Sequence, residues 1–337
     1  MSELRIGLIG CGFISADHVR AYLEYPDRAR ITVCYDIDPE RARARADQAG
    51  GARVAASLEE LIEAHDVDAV DICTPPHLHP EAAIAAAKAG KHVSCQKPLA
   101  RTLAECDAMI EAAHEAGVVL YHAEFNRTHP ANIRAAELVR SGRIGRIIAI
   151  QATFAYWQGG ELLSTTWRYD PKIAGGGQLL DSGIHSIDLL RGIGGEVKSV
   201  SCMTTRFREE LGGEDTSVVN LRFEEGHLGA LLSTQACGMW SPAPRLIVYG
   251  MEGILTMGGP HALAIHRHDL PDRIEVLESE RQNWMKPMIG GFLDAAIDGK
   301  PNPSPGEEGR ANLAVVLAAY ESERQGREIE LADFDGR

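Results

Sequence analysis

The sequence lacks an apolar stretch long enough to cross a membrane. Its longest purely apolar runs, such as residues 313–320, fall far below the roughly 18 residues a span needs. The amino terminus, Met1-Ser2-Glu3-Leu4-Arg5 before a strand-like run, has neither the basic segment nor the longer apolar core of a signal peptide, so none is expected. The seven cysteines are odd in number and widely spread, and no C-x-x-C occurs. They read as reduced thiols of a cytoplasmic protein, not as a disulfide framework or a zinc ribbon. A basic excess is missing too: 34 Lys+Arg against 48 Asp+Glu give a formal net charge of −14. Nucleic acid needs clustered cations, so that class of partner is excluded. A small phosphate-bearing cofactor is not, because backbone N–H groups and a helix N-terminus hold it. Internal repeats and low-complexity segments are absent.

What remains is an ordinary globular composition, 45% hydrophobic and 24% charged, in 337 residues, a length for two domains. In the first third, short apolar runs at 5–10, 31–36, 67–74, 92–96 and 118–125 alternate with helix-like segments at 16–25, 39–49, 57–64, 80–89 and 103–116. That alternation predicts βαβ units, a doubly wound parallel sheet of the α/β class covered on both faces. After a helix-like stretch at 130–141 the pattern changes. Strand-like runs at 144–157, 197–207, 216–223, 228–235, 245–248 and 253–257 predict an α+β half with a large, mostly antiparallel open sheet. One helix stands out there, near 177–191, and a last one at 307–323 follows a Pro/Gly-rich stretch. The boundary is placed near 122, giving domains 1–122 and 123–337, with the last helix packing back on the first domain.

Gly10-Cys11-Gly12-Phe13-Ile14-Ser15 follows the first strand and opens the first helix. Gly10 permits the tight turn and Gly12 a close backbone approach, while Ser15 stands at the third glycine position. Asp36 ends the second strand, 21 residues past Ser15, where an acid binds a ribose 2′-OH and repels a 2′-phosphate. A dinucleotide is expected, NAD in preference to NADP; the plainer alternative is a structural glycine turn and a strand-end acid. Arg41, Arg43 and Arg45 are read as a solvated helix face.

Two further segments carry a sharper signal. One runs from Val67 through Thr74-Pro75-Pro76-His77-Leu78-His79 to Gln96-Lys97-Pro98. The other is Trp167-Arg168, then Gly175-Gly176-Gly177-Gln178-Leu179-Leu180-Asp181-Ser182-Gly183-Ile184-His185. With Phe125-Asn126-Arg127, Ser141-Gly142-Arg143-Ile144-Gly145 and Tyr320-Glu321-Ser322, these resemble the Gfo/Idh/MocA family, the glucose–fructose oxidoreductase and inositol dehydrogenase group. The resemblance runs through most of the chain. It implies an NAD-dependent oxidoreductase acting on a secondary alcohol of a sugar, inositol or related polyol.

Oxidising an alcohol removes a proton from oxygen as hydride leaves carbon, and His is suited to take it. His185 lies four residues after Asp181, so one helix face is expected to carry both, with Asp188 continuing the stripe and Leu180, Ile184 and Ile187 anchoring it. Lys97 follows a strand end, at the edge of a parallel sheet where ligands bind, and its ammonium can stabilise alkoxide character. The resemblance assigns the same positions: Lys97 and His185 as the catalytic pair, with Asp181 acting through a substrate hydroxyl. Phe13, Ile14, Thr74, Pro75, His79 and Gln96 join the expected cofactor set, with His79 reaching a ribose. Asn126, Tyr156, Trp157, Trp167 and Arg168 are the expected substrate wall.

One position departs from the family, whose usual Glu-Lys-Pro is Gln96-Lys97-Pro98 here. The amide keeps an acceptor oxygen and loses the charge. The resemblance further implies a cis Lys97–Pro98 bond and self-association through the open sheet face, as homodimer or homotetramer. No metal is expected: His77-x-His79, His266-x-His268 and Asp181-x₃-His185 complete no three-ligand set. A non-catalytic NAD-sensing regulator is the alternative function, which loss of Lys97, Asp181 or His185 would favour; all three are present.

Overall fold

The computed structural model describes residues 3–159, 166–258, 262–276 and 284–336. The chain forms two units, Met1–Thr128 with Arg281–Arg310, and His129–Glu280 with Ala311–Arg337. The chain thus passes from the first unit to the second after the turn that follows residue 122, and the first unit takes in a second, later segment.

In the first unit, strands β1 (Leu4–Ile9), β2 (Ala29–Tyr35), β3 (Arg53–Val54), β4 (Ala69–Ile72), β5 (His92–Gln96) and β6 (Leu120–Ala123) form a six-stranded sheet in the order β3-β2-β1-β4-β5-β6. Every pairing is parallel. Its connecting helices are α1 (Ser15–Leu23), α2 (Pro39–Gln48), α3 (Leu58–Glu63), α4 (His79–Lys88) and α5 (Leu103–Ala116). The strands are buried on both faces: Ala69–Ile72 has no exposed residue, which is why these runs read as continuously apolar. Local chemistry sets the helix ends. Ser57 accepts from the Glu60 N–H, and Thr102 with Glu105 makes a reciprocal capping box before α5. Strand β6 ends at Ala123, and Phe125–Arg127 is a 3₁₀ turn, so Asn126 sits in that turn and not on the strand. The later segment supplies a helix, Lys286–Asp298, absent from the sequence reading. Met288, Ile289, Phe292 and Leu293 bury into the same core as Leu4, Val19 and Tyr22. Arg28 pairs with Asp294 and Asp298 at 2.8 Å each.

The second unit opens with α6 (Pro130–Arg140), then β7 (Ile147–Ala155) and α7 (Pro171–Ala174). A π-helical turn, Leu179–Gly183, leads into α8 (Ile184–Gly194). Then come β8 (Val197–Thr205), β9 (Thr216–Phe223), β10 (Leu228–Thr234), β11 (Leu246–Gly250), β12 (Ile254–Gly258), β13 (Ala262–Arg267) and β14 (Leu270–Val276). After α9 (Lys286–Asp298, in the first unit) and α10 (Gly306–Gln325), β15 (Ile329–Glu330) ends the chain's regular structure save for a short 3₁₀ turn. The nine-stranded sheet runs β14-β13-β12-β11-β7-β10-β9-β8-β15 and is antiparallel except where β10 pairs with β7. Leu180, Ile184 and Ile187 are buried, the expected anchoring stripe. Asp188 is not part of an accessible stripe with Asp181 and His185. It is buried, and the Asn312 amide on α10 donates to its Oδ1 at 2.7 Å. Asn312 Oδ1 in turn accepts from Arg191 at 2.7 Å.

Candidate active site

In the first unit the candidate cofactor residues follow the carboxyl ends of successive strands, the edge where parallel sheets bind ligands. Gly10 follows β1 with φ at 86°, and a Cβ there would stand 2.8 Å from Cys73 C and Thr74 N. Gly12 is different: a Cβ would meet nothing within 4 Å, so the backbone is left open to an incoming group. Helix α1 starts beside it with no side-chain cap, and Phe13 is 47% exposed. Uncapped N–H groups and the positive end of the helix dipole suit a diphosphate.

Asp36 holds this loop. Its carboxylate accepts from Cys11 N–H at 2.7 Å and from Asp38 N–H at 2.9 Å. Arg45 does not lie on a solvated face. Its guanidinium donates to Ser15 Oγ at 3.0 Å and Gly12 O at 3.2 Å, clamping α2 to the glycine loop. Arg41 and Arg43 keep the solvated role, paired with Asp38 and Glu40. After β4, the Thr74 hydroxyl is buried with no hydrogen-bond partner, an orphan that a ligand can satisfy. Next to it, Pro75 is extended (ψ 150°) before a 3₁₀ turn. These features fit a dinucleotide.

His79 does not present a nitrogen to a ribose. Its ring is buried, with Nε2 2.9 Å from Thr74 O and Nδ1 3.0 Å from Pro98 O. It staples the loop after β4 to the loop after β5, and burial lowers its pKa against the pull of those carbonyls. The Lys97–Pro98 bond is cis. Gln96 is buried; its Oε1 accepts from Lys97 N–H at 3.2 Å, and its Nε2 lies 2.7 Å from His18 Nε2. Asn126 is buried in its turn, where Glu124 accepts from its N–H at 3.1 Å.

In the second unit, Trp167, Arg168, Gln178, Asp181, Glu214 and Gln235 line one recess. Arg168 donates to Asp181 Oδ2 at 3.0 Å and lies 4.1 Å above the Trp167 ring. The predicted Trp167, Arg168 and Asp181 are thus brought together. His185 stands on the first turn of α8, half-buried. The predicted aromatic wall divides. Tyr156 is buried and stacked on Trp240, and its hydroxyl lies 3.0 Å from Ser182 Oγ, one residue from Asp181. That burial pushes its pKa up to about 12. Trp157 is 52% exposed with Arg208 4.2 Å over its ring, and neither it nor Tyr156 lines the recess. Successive residues of an extended chain face opposite ways, so the two could not share one wall.

Glu214 and Tyr320 were not read from the sequence as site residues. The Tyr320 hydroxyl donates to Glu214 Oε1 at 2.8 Å and accepts from the Gly177 and Leu180 N–H groups at 3.2 Å. Glu214 Oε1 also accepts from Leu179 N–H at 2.8 Å. Together they satisfy the orphan donors at the start of the segment carrying Asp181 and His185. Burial raises the Glu214 pKa against these bonds. No local motif signals them, because the three partners come from distant parts of the chain. Among the described residues one buried group, His18, Asp71 and Cys73, has metal-ligand composition. Both His18 nitrogens are already engaged, by Asp71 and Gln96.

Comparisons with known proteins agree with this fold. The profile of an oxidoreductase family with an NAD-binding Rossmann fold matches residues 4–124, and that of the GFO/IDH/MocA C-terminal domain matches residues 133–256. The chain is 31% identical to a myo-inositol 2-dehydrogenase of Thermotoga maritima, covering 99% of this chain and 100% of that one. It is 30% identical to a D-apiose dehydrogenase of Paraburkholderia graminis, covering 97% and 90%. A structure of levoglucosan dehydrogenase with NADH and levoglucosan superposes with a TM-score of 0.87 at 26% identity, covering 98% and 99%.

Proposed function

Because this chain belongs to the Gfo/Idh/MocA family of oxidoreductases, we propose that it moves a hydride between NAD and the secondary carbinol of a sugar, inositol or related polyol. The observation that carries this reading is the retention of Lys97, Asp181 and His185, with Asp181 held by Arg168 in a recess that Trp167 also lines. The named relatives, dehydrogenases of inositol and D-apiose, supply the substrate class.

Gly10, Gly12, Phe13, Ile14, Asp36, Thr74, Pro75, Gln96 and Lys97 hold the cofactor. When bound, the nicotinamide supplies the carbon that accepts or returns hydride. His185 takes the hydroxyl proton in oxidation and returns it in reduction. Lys97 donates a hydrogen bond to the substrate oxygen and stabilises its alkoxide character. Asp181, fixed by Arg168, holds a neighbouring hydroxyl. Trp167 offers a ring face to the sugar, and Asn126 a polar contact. Six of the seven cysteines are buried and all are free, which suits a reducing cytoplasm.

The test is a panel of sugars and polyols with NAD and with NADP, read by absorbance of the reduced nicotinamide. Turnover with at least one polyol supports the reading; cofactor binding without turnover across the panel makes the protein a sensor. Asp36 gives a sharper expectation. Asp36→Ala raises the KM for NAD by about tenfold or more and moves preference toward NADP, as one charged hydrogen-bond acceptor and its repulsion are lost. An unchanged preference sinks the ribose role.

Self-association belongs to the same reading. Met203, Val218 and Leu232 are opposed across β8, β9 and β10, all exposed, with Leu228 exposed further along β10. We propose that this apolar sheet face pairs with a second copy. Leu232→Glu is expected to shift the sedimentation coefficient to that of the monomer; a parent that already sediments as a monomer refutes the pairing.

A further inference from the structure

Gln96 belongs to a buried chain of polar groups that reaches into the sheet. His18, on α1, is fully buried, as is Asp71 on β4. His18 Nδ1 lies 2.7 Å from Asp71 Oδ2, and His18 Nε2 lies 2.7 Å from Gln96 Nε2. The direction of every bond follows from one donor. Lys97 N–H has Gln96 Oε1 as its acceptor at 3.2 Å, so the amide NH₂ is the end that faces His18. An amide NH₂ only donates. His18 Nε2 therefore accepts and carries no proton, and Nδ1 carries the proton and donates to Asp71. The groups nearest this pair leave the assignment intact. Tyr22 on α1, Cys73 after β4 and Cys95 on β5 all feel the Asp71 charge. Burial first, and that charge second, hold all three well above their ordinary pKa values, so they stay neutral.

We propose that Asp71 and His18 are positioning residues for the nicotinamide end of the site: they fix the Gln96 amide in one orientation, and through it the backbone of Lys97. The inference rests on the reading of Gln96 and Lys97 as cofactor and substrate residues. It also explains the departure from the family's glutamate. A carboxylate at position 96 offers only acceptors, so His18 could meet it only by taking a second proton at Nε2 and donating to carboxylates on both sides, whereas the amide serves the neutral ring. Glutamine is the residue of that shape with a donor to offer. Asp71 on one side and an amide on the other thus suit a neutral imidazole.

The relay can be reversed on paper, and that gives the test. In Asp71→Asn with Gln96→Glu, the new asparagine donates to Nδ1 and the new glutamate accepts from Nε2–H. Charge and volume are conserved, and the imidazole tautomer inverts. The tautomer is read directly from ¹⁵N-histidine NMR spectra of the whole protein, with His18 assigned by its loss in His18→Gln. The parent is expected to show His18 neutral with the proton on Nδ1, and the double variant the proton on Nε2. In turnover, Gln96→Glu alone is expected to lose about tenfold in kcat, Asp71→Asn alone to stay within about threefold because its amide oxygen still accepts from Nδ1–H, and the double to recover to within about threefold of the parent. A merely structural pair would change melting temperature and give losses that multiply. A parent His18 protonated on Nε2, or a double variant no better than the product of the singles, overturns the relay. The tautomer needs no substrate. A parent that turns over no polyol therefore refutes the functional reading alone, and the spectrum still decides the relay.

Discussion

His185→Ala is expected to lower kcat by about a thousandfold, within the range for losing a general base, and to leave NAD affinity within about threefold. The separation follows from where the groups sit. The expected cofactor residues all lie in the first unit, whereas His185 stands on α8 in the second. The helix does not depend on the imidazole for its place, because Leu180, Ile184 and Ile187 are buried and the Glu214–Tyr320 pair holds the preceding turn. Truncation to Cβ therefore removes the proton acceptor and leaves the helix anchored. Single-turnover kinetics with a saturating polyol, beside NAD titration by fluorescence, separates the two quantities. A His185→Ala enzyme within a few-fold of the parent rate would show that another group takes the proton.

Gly10→Ala is expected to cost about 2–3 kcal/mol of stability and to weaken NAD binding by at least about thirtyfold. Two penalties combine. A φ of 86° is a left-handed conformation that L side chains resist, and the added methyl meets backbone atoms of Cys73 and Thr74 at 2.8 Å, which cannot rotate away. The loop must shift, and it carries the Cys11 N–H bond to Asp36. Gly12→Ala is the control, since its Cβ meets nothing within 4 Å. That variant should melt with the parent and still bind NAD about tenfold more weakly, as the methyl enters the space a diphosphate needs. Thermal melts with and without NAD read both. Equal melting temperatures for the parent and Gly10→Ala would remove the glycine loop from the account of cofactor binding.

Much of the first unit was legible because its strands are apolar throughout and its glycines stand at a strand-to-helix turn. The segment Lys286–Asp298 was not, and its glycines are the reason. Glycine disfavours a helix interior, yet a Cβ on Gly290 would stand 2.5 Å from Tyr25 Oη, and one on Gly291 3.1 Å from Tyr121 Oη. They allow close packing of a core helix. Strands β13 and β14 escaped for another reason: the first carries His266 and Arg267 and the second Pro271 and two acids, so period-two alternation is weak there. At the site, Lys97, Asp181 and His185 were readable because motif and chemistry coincide within a few residues. The Arg45 clamp, the Glu214–Tyr320 pair and the Asp71–His18–Gln96 chain were not. Each joins side chains from separate elements, and only sheet register and helix packing bring them within hydrogen-bond distance. The same limit explains His79 and Asp188, whose positions looked functional until carbonyls and Asn312 were seen to occupy them.

The central claim is hydride transfer from a carbinol carbon to nicotinamide. Its most direct test uses a polyol substrate from the panel bearing deuterium at the oxidised carbon, with the NADH product analysed by mass spectrometry and NMR. The expected result is one deuterium at nicotinamide C4 in each NADH formed, and a ketone product lacking it. NADH without the label, or a bound cofactor that no polyol of the panel reduces, would contradict the claim.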